Sequence, residues 1–319
     1  MASRDKKNPK NHEHMNNHRI AFIGAASGWG AQDARTELGP EAVQSTNYIN
    51  KLINTHPSVH WQATIYPEKI SNTPDRLIAP SDLPYEERLE LVVQTAMRVA
   101  EEVTIAIRDS GFPIVIGGDH SIAVGTWAGV IRALTAEKKF GLIWFDAHMD
   151  SHTPQTTPSM AIHGMPVAAL LGHGESNLVD LEIEGQKIDP RHLVIMGIRS
   201  YEPEEEALLK SLGVKLFLNT DIQAKGFSVV CQEALDIVTQ GTEGFGLSID
   251  LDGFDPQLVP GVGSPVFGGI DPENSLAGFS SLINDGRCKA LEIAEFNPAL
   301  DKEHKTIRVI EALIRQKIK

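Results

Sequence analysis

The sequence predicts an α/β fold built on a mainly parallel sheet, and three observations predict it. Short apolar, β-branched runs bounded by Gly, Pro or Asp alternate with longer amphipathic stretches, the pattern of repeated strand–helix units. With 319 residues, 41% of them hydrophobic and 22% charged, the chain can bury one large sheet with helices on both faces. Acids and histidines gather directly after several apolar runs, where ligands of open α/β sheets collect, outside the carboxyl ends of the strands.

Taken along the chain, an apolar run at 20–23 reads as the first strand and the amphipathic stretch 41–52 as a helix. Residues 60–65 form a weaker strand pattern, followed by a long amphipathic helix over 85–110. The run at 113–116 ends at a Gly-Gly pair and leads into a helix over 122–136. Strands follow at 141–145 and 193–196, then a helix opened by Pro203 over 203–212, a strand at 214–218 and a helix over 222–239. The strand at 246–249 ends in acids, a helix opened by Pro272 spans 272–284, and a strand at 289–294 precedes a last helix over 306–317. No internal repeat is visible, and residues 19–319 read as one domain behind a polar tail, 1–18.

The net charge of −13 disfavours nucleic acid and anionic membrane surfaces, which need basic patches, and weakly suits a cationic substrate. No run approaches the ~20 apolar residues of a membrane span. The tail is rich in Lys, Asn and His and has no apolar stretch, so it is neither signal peptide nor anchor. Its His12, His14 and His18 are better explained by a solvated leader than by metal binding. Cys231 and Cys288 make neither a disulfide framework nor a metal motif, which fits a reducing, cytoplasmic compartment.

Asp146-Ala147-His148-Met149-Asp150 and Asp250-Leu251-Asp252 alternate potential ligands with other residues at the ends of two strands. Side chains two apart on a strand share a face, so Asp146, His148 and Asp150 converge if the extended geometry persists to Asp150. With His120, after Gly117-Gly118-Asp119, the candidate ligands are His120, Asp146, His148, Asp150, Asp250 and Asp252. Taken singly, a strand-end Asp is more often a cap or turn residue, and His120 alone more often a satisfied interior histidine. Together, without a cation, they would repel and be costly to desolvate. Two ions about 3.5–4 Å apart would use all six, and mixed carboxylate and imidazole donors suit Mn, Fe, Co, Ni or Zn better than Ca or Mg. Asp255, before Pro256, is expected to make the turn or to support the ligands from behind, and not to bind a metal itself.

Gly117-Gly118-Asp119-His120-Ser121, Asp146 to Asp150, and Ser248-Ile249-Asp250-Leu251-Asp252-Gly253-Phe254-Asp255-Pro256 together resemble the three signatures of the ureohydrolase family of arginases, agmatinases and formimidoylglutamases. The resemblance runs from about Ile20, through Glu37-Leu38-Gly39-Pro40, to Glu295-Phe296-Asn297-Pro298. It implies a three-layer α/β/α fold, a binuclear manganese centre, and hydrolysis of a guanidino group by a hydroxide held between the ions. By that similarity His120, Asp146, Asp150 and Asp250 would hold one ion, and Asp146, His148, Asp250 and Asp252 the other. It also implies a homo-oligomer, trimeric or hexameric.

Asp150 can also orient the nucleophile, Glu295 resembles the family's carboxylate for the guanidinium, and His163 would pass a proton to the leaving amine. As alternatives, Glu295 could be an exposed strand-end acid and His163 a structural loop histidine. The segment 150–163, with Thr153-Pro154 and Ser159, is similar to the arginase substrate loop. It implies α-carboxylate contacts from Ser159 and position 152, an α-amino contact from Glu202, and assistance from Glu205. Otherwise Glu202 and Glu205 are first-turn helix acids. His152 and Ala161 stand where arginases usually carry asparagines, and Glu202 replaces a usual aspartate, so the outer pocket could suit another guanidino compound. The expected activity is hydrolysis of L-arginine to ornithine and urea. Alternatives are an agmatinase, guanidinobutyrase or formimidoylglutamase, and a catalytically silent binding protein on the same fold.

Overall fold

The computed structural model describes residues 19–68, 79–134 and 139–318; the tail 1–18, with its three histidines, and the end of the helix expected to reach 136 lie outside them. The chain order runs β1 (Arg19–Ala25), α1 (Gly39–Gln44), α2 (Asn47–Thr55), β2 (Val59–Ile65), α3 (Tyr85–Arg108), β3 (Gly111–Gly117) and α4 (Ala123–Ala133). It continues through β4 (Gly141–Phe145), α5 (Pro166–Leu170), α6 (Ser176–Val179), β5 (Leu193–Ile198), α7 (Pro203–Leu212) and β6 (Lys215–Leu218). The last elements are α8 (Asn219–Lys225), α9 (Phe227–Val238), β7 (Phe245–Asp250), α10 (Pro272–Ile283), β8 (Cys288–Ala294) and α11 (Lys305–Lys317).

All strand pairs are parallel, in the order β2-β1-β3-β8-β7-β4-β5-β6. The period of two divides the strand side chains between two cores. Ile20, Phe22, Ile114, Ile116, Ile143, Phe145, Leu247 and Ile249 pack with α2, α9, α10 and α11. Ala21, Ile23, Val115, Leu142 and Trp144 pack with α3, α4 and α5 on the other face. The result is the three-layer arrangement, with a fully parallel sheet covered on both sides.

Two expected helices are each broken in two. The segment 41–52 divides because Thr46 is extended and its hydroxyl caps α2 by accepting from the Ile49 N–H at 3.2 Å; the side chain competes with a continuous helix. The segment 222–239 divides at Gly226, whose φ of 92° lies where only glycine is at ease. The short α5 and α6 were not anticipated, since neither is long enough to show a period.

Gly246 in β7 faces the indole of Trp127: a Cβ there would lie 2.0 Å from its Cζ3. The ring is fully buried and cannot swing aside. Gly246→Ala is therefore expected to lower the unfolding free energy by about 1–3 kcal/mol, the cost of overpacking, measured by denaturant titration. Parent-like stability would mean that α4 can slide.

Candidate metal centre

The C-terminal ends of β3, β4, β7 and β8 are adjacent in the sheet order, so the segments that follow them meet above one stretch of its edge. His120 opens the turn between β3 and α4, and Asp119 caps that turn by accepting from the Ser121 N–H at 3.0 Å. The other Asp119 oxygen accepts from the Gly30 N–H at 2.9 Å, and Gly30 carbonyl takes the N–H groups of Ile162 and His163. A Cβ on Gly30 would sit 2.4 Å from Asp119 Oδ1, so only glycine lets these three segments close together and set His163 in place.

The ligand candidates converge, but not through the strand alternation that suggested it. β4 ends at Phe145, and Asp150 lies in the left-handed region with φ of 48°. Asp252 sits in the 3-10 turn Leu251–Gly253 after β7. The extended geometry does not persist because each acid hydrogen-bonds the backbone just ahead of it: Asp146 Oδ1 accepts from His148 N–H at 2.6 Å and Asp250 Oδ1 from Asp252 N–H at 2.8 Å. These bonds turn the chain. Arg199 braces the second turn by donating to the carbonyls of Asp252 at 2.6 Å, Gly253 at 3.1 Å and Phe254 at 3.1 Å. Beneath it Phe145, Phe254 and Phe279 pack ring against ring.

Two ligand groups result. His120, Asp146, Asp150 and Asp250 form the first, and Asp146, His148 and Asp252 the second. Nδ1 of His120 lies 3.3 Å from Asp146 Oδ2, 3.2 Å from Asp150 Oδ2 and 3.1 Å from Asp250 Oδ2, and is buried without a directed hydrogen bond among the described residues. Nδ1 of His148 lies 3.4 Å from Asp146 Oδ1 and 3.1 Å from Asp252 Oδ2. Asp146 thus belongs to both groups, while Asp250, expected to be shared, falls in the first alone.

Such crowding distorts proton affinities. Burial, then the Asp146 charge, pushes Asp150 up to about 8 against the pull of His120. Burial with the Asp252 and Asp146 charges holds Asp250 well above the carboxylate range. Burial alone would raise Asp146, but the flanking imidazoles outweigh it and hold its carboxyl below that range. Both imidazoles are raised, their carboxylate neighbours overcoming desolvation. A pocket of four buried acids, with an imidazole nitrogen that lacks a directed hydrogen bond among the described residues aimed at three of them, fits a pair of divalent cations, and the mixed oxygen and nitrogen donors fit a transition metal.

Glu295 follows β8 with φ of 66° and is buried, so it is no exposed strand-end acid. Its Oε1 accepts from the His120 N–H at 2.8 Å and pairs with His163 Nδ1 at 2.9 Å. Its Oε2 is buried and without a hydrogen-bond partner among the described residues. Burial lowers the His163 pKa, but Glu295, Asp119 and Asp150 prevail and raise it to about 9.

Farther out, His152 Nε2 lies 2.9 Å from Glu202 Oε2 and 3.4 Å from Glu205 Oε2. Glu205 is buried and accepts from the N–H groups of Ser151 at 3.0 Å and Glu202 at 3.1 Å. Ser159 stands apart from this trio: it is exposed, and its hydroxyl accepts from the Ala161 N–H at 3.2 Å. Asp255 makes its turn, accepting from Gln257 N–H at 2.9 Å. Sequence reasoning passed over Asp119, Trp144, Ser248 and Glu292. The signal for Glu292 was present, as a lone acid inside the apolar run of β8.

A family model described as the arginase family matches residues 18–318. An arginase of Bacillus subtilis is 36% identical over 305 residues, spanning 94% of this chain and 98% of that protein. A crystal structure of arginase from that organism superposes with a TM-score of 0.83 at 34% identity, over 94% of this chain and 98% of the other. The structure of an Entamoeba histolytica arginase in complex with L-ornithine gives the same TM-score at 28% identity, over 93% of this chain and 97% of that one.

Proposed function

The chain belongs to the arginase family, and from that premise we propose that it hydrolyses L-arginine to L-ornithine and urea with two manganese ions. The observation that carries the reading is the convergence of His120, Asp146, His148, Asp150, Asp250 and Asp252 beside Oε2 of Glu295, which has no hydrogen-bond partner among the described residues. His120, Asp146, Asp150 and Asp250 would hold one ion; Asp146, His148 and Asp252, with Asp250 leaning across, would hold the other. Bound there, such a pair supplies a strong nucleophile from water at neutral pH, which the charge-delocalised guanidinium carbon requires.

The remaining residues bind, orient and move protons. Glu295 Oε2 accepts from the guanidinium while Oε1 stays tied to His120 and His163, so the substrate is gripped by a carboxylate that cannot rotate. Asp150 orients the attacking group. His163, charged at neutral pH, gives its proton to the departing amine as the carbon–nitrogen bond breaks. His152, Ser159, Glu202 and Glu205 form the outer pocket for the amino-acid end. The proposal includes one catalytic domain over residues 19–319 and a cytoplasmic homo-oligomer, trimeric or hexameric. Among the described residues no helix is long and apolar enough to cross a membrane.

A substrate panel tests it. Urea release is expected to have its highest kcat/KM with L-arginine, above agmatine and guanidinobutyrate, with no formamide from formimidoylglutamate. Brisk turnover of one of the others with none of L-arginine would reject the assignment.

A further inference from the structure

Trp144, Ser248 and Glu292 stand in one row across three neighbouring strands, Trp144 paired with Ser248 and Ser248 with Glu292. The row lies against the ring of His120. Trp144 stacks on that ring with centroids 4.0 Å apart and planes 17° from parallel, and its indole N–H donates to Asp146 Oδ2 at 2.8 Å. Ser248 Oγ lies 2.8 Å from His120 Nε2 and donates its one proton to Glu292 Oε1 at 2.7 Å. Glu292 and Ser248 are wholly buried, and the chemistry proposed above uses neither.

A hydroxyl has one proton to give. Because that of Ser248 goes to Glu292, its oxygen can only accept from His120, and the ring must carry hydrogen on Nε2. Of the two nitrogens, Nδ1, facing Asp146, Asp150 and Asp250, is then the one whose lone pair is available once an incoming cation displaces the ring's second proton. We infer that Glu292 is a positioning residue for the metal centre: through Ser248 it fixes the orientation and tautomer of His120, so that Nδ1 is the nitrogen presented to a cation. The inference rests on reading the six-residue cluster as a metal centre. It explains why an acid is kept between Leu291 and Ile293 in a buried stretch of β8, where burial alone would be costly.

The relay has a direction, and a change at either member disturbs it. Ser248→Ala removes the acceptor for Nε2 without adding bulk. Glu292→Gln keeps the shape but can donate its amide hydrogen to Ser248, turning the hydroxyl toward His120 and favouring the proton on Nδ1, where it blocks a cation. The full chain, freed of metal by a chelator, is titrated with MnCl2 by calorimetry, and the unfolding midpoint of each metal-free protein is measured alongside. Each variant is expected to bind Mn2+ at the His120 group about 10–100-fold more weakly, beyond any loss of metal-free stability; Glu292→Gln, which keeps a partner for Ser248, should hold the metal-free midpoint close to the parent's, whereas Ser248→Ala lowers it by leaving Glu292 short of a partner. Parent-like affinity in Ser248→Ala, or weakened binding only in proportion to lost metal-free stability, would overturn the inference alone. Failure of the parent chain to bind Mn2+ would remove the metal reading and this inference together.

Discussion

Asp150→Asn is expected to lower kcat for L-arginine by about 10²–10⁴-fold at saturating Mn2+, the usual worth of a group that orients and deprotonates at a reacting centre. The substitution is well suited to isolate charge from shape. Asp150 holds a φ of 48°, and Asn is among the few residues that accept this left-handed conformation. The carbonyl of Asp150 can go on accepting from the Val167 N–H at 2.9 Å, so the loop keeps its anchor. Stability gives an independent reading of the same change. Burial and Asp146 raise the Asp150 pKa to about 8, above its unfolded value, so between those two values the unfolded chain releases the proton more readily and ionisation favours unfolding. Removing the carboxyl should leave the metal-free variant at neutral pH at least as stable as the metal-free parent. Urea-release kinetics and thermal melts decide it; turnover within twofold of the parent would refute the role given to Asp150.

Chelation is the second large effect. Exhaustive treatment with EDTA is expected to abolish urea release, with recovery on adding Mn2+, and to lower the melting midpoint. Each ion present at a hundred times its dissociation constant contributes about 2.7 kcal/mol to the folded state. Its removal also returns four buried acids, Asp146, Asp150, Asp250 and Asp252, to one another's company. Full activity in protein shown by elemental assay to hold no metal would end the binuclear reading.

Much of the chemistry was legible in the sequence because its parts are contiguous. His120 follows a Gly-Gly turn, and the two acidic motifs each occupy a few consecutive positions, so residue type and spacing announce them. The path by which they converge was not legible. The positive φ at Asp150 and Glu295 is imposed by closure of the surrounding loops, not by local preference, and residues other than glycine hold it at a cost of about 1–3 kcal/mol each. The breaks at Thr46 and Gly226 depend on a cap and a single dihedral inside stretches that keep a helical period. The row of Trp144, Ser248 and Glu292 exists only because β8 lies beside β7 and β7 beside β4, an order that no window of sequence contains. At Ser159 the residue type suggested a substrate contact, while the bond its hydroxyl accepts from the Ala161 N–H of its own loop had no signal in the sequence.

The adjacency of β3, β8, β7 and β4 also dictates when during maturation the ions can enter. Residues 120 and 252 are contributed by distant stretches of chain, and no short fragment carries a full donor set. Cations are therefore expected to close a finished molecule, and not to serve as a template for making one. A protein cut short before its final strand should emerge from synthesis with little hold on manganese, however much of the metal surrounds it.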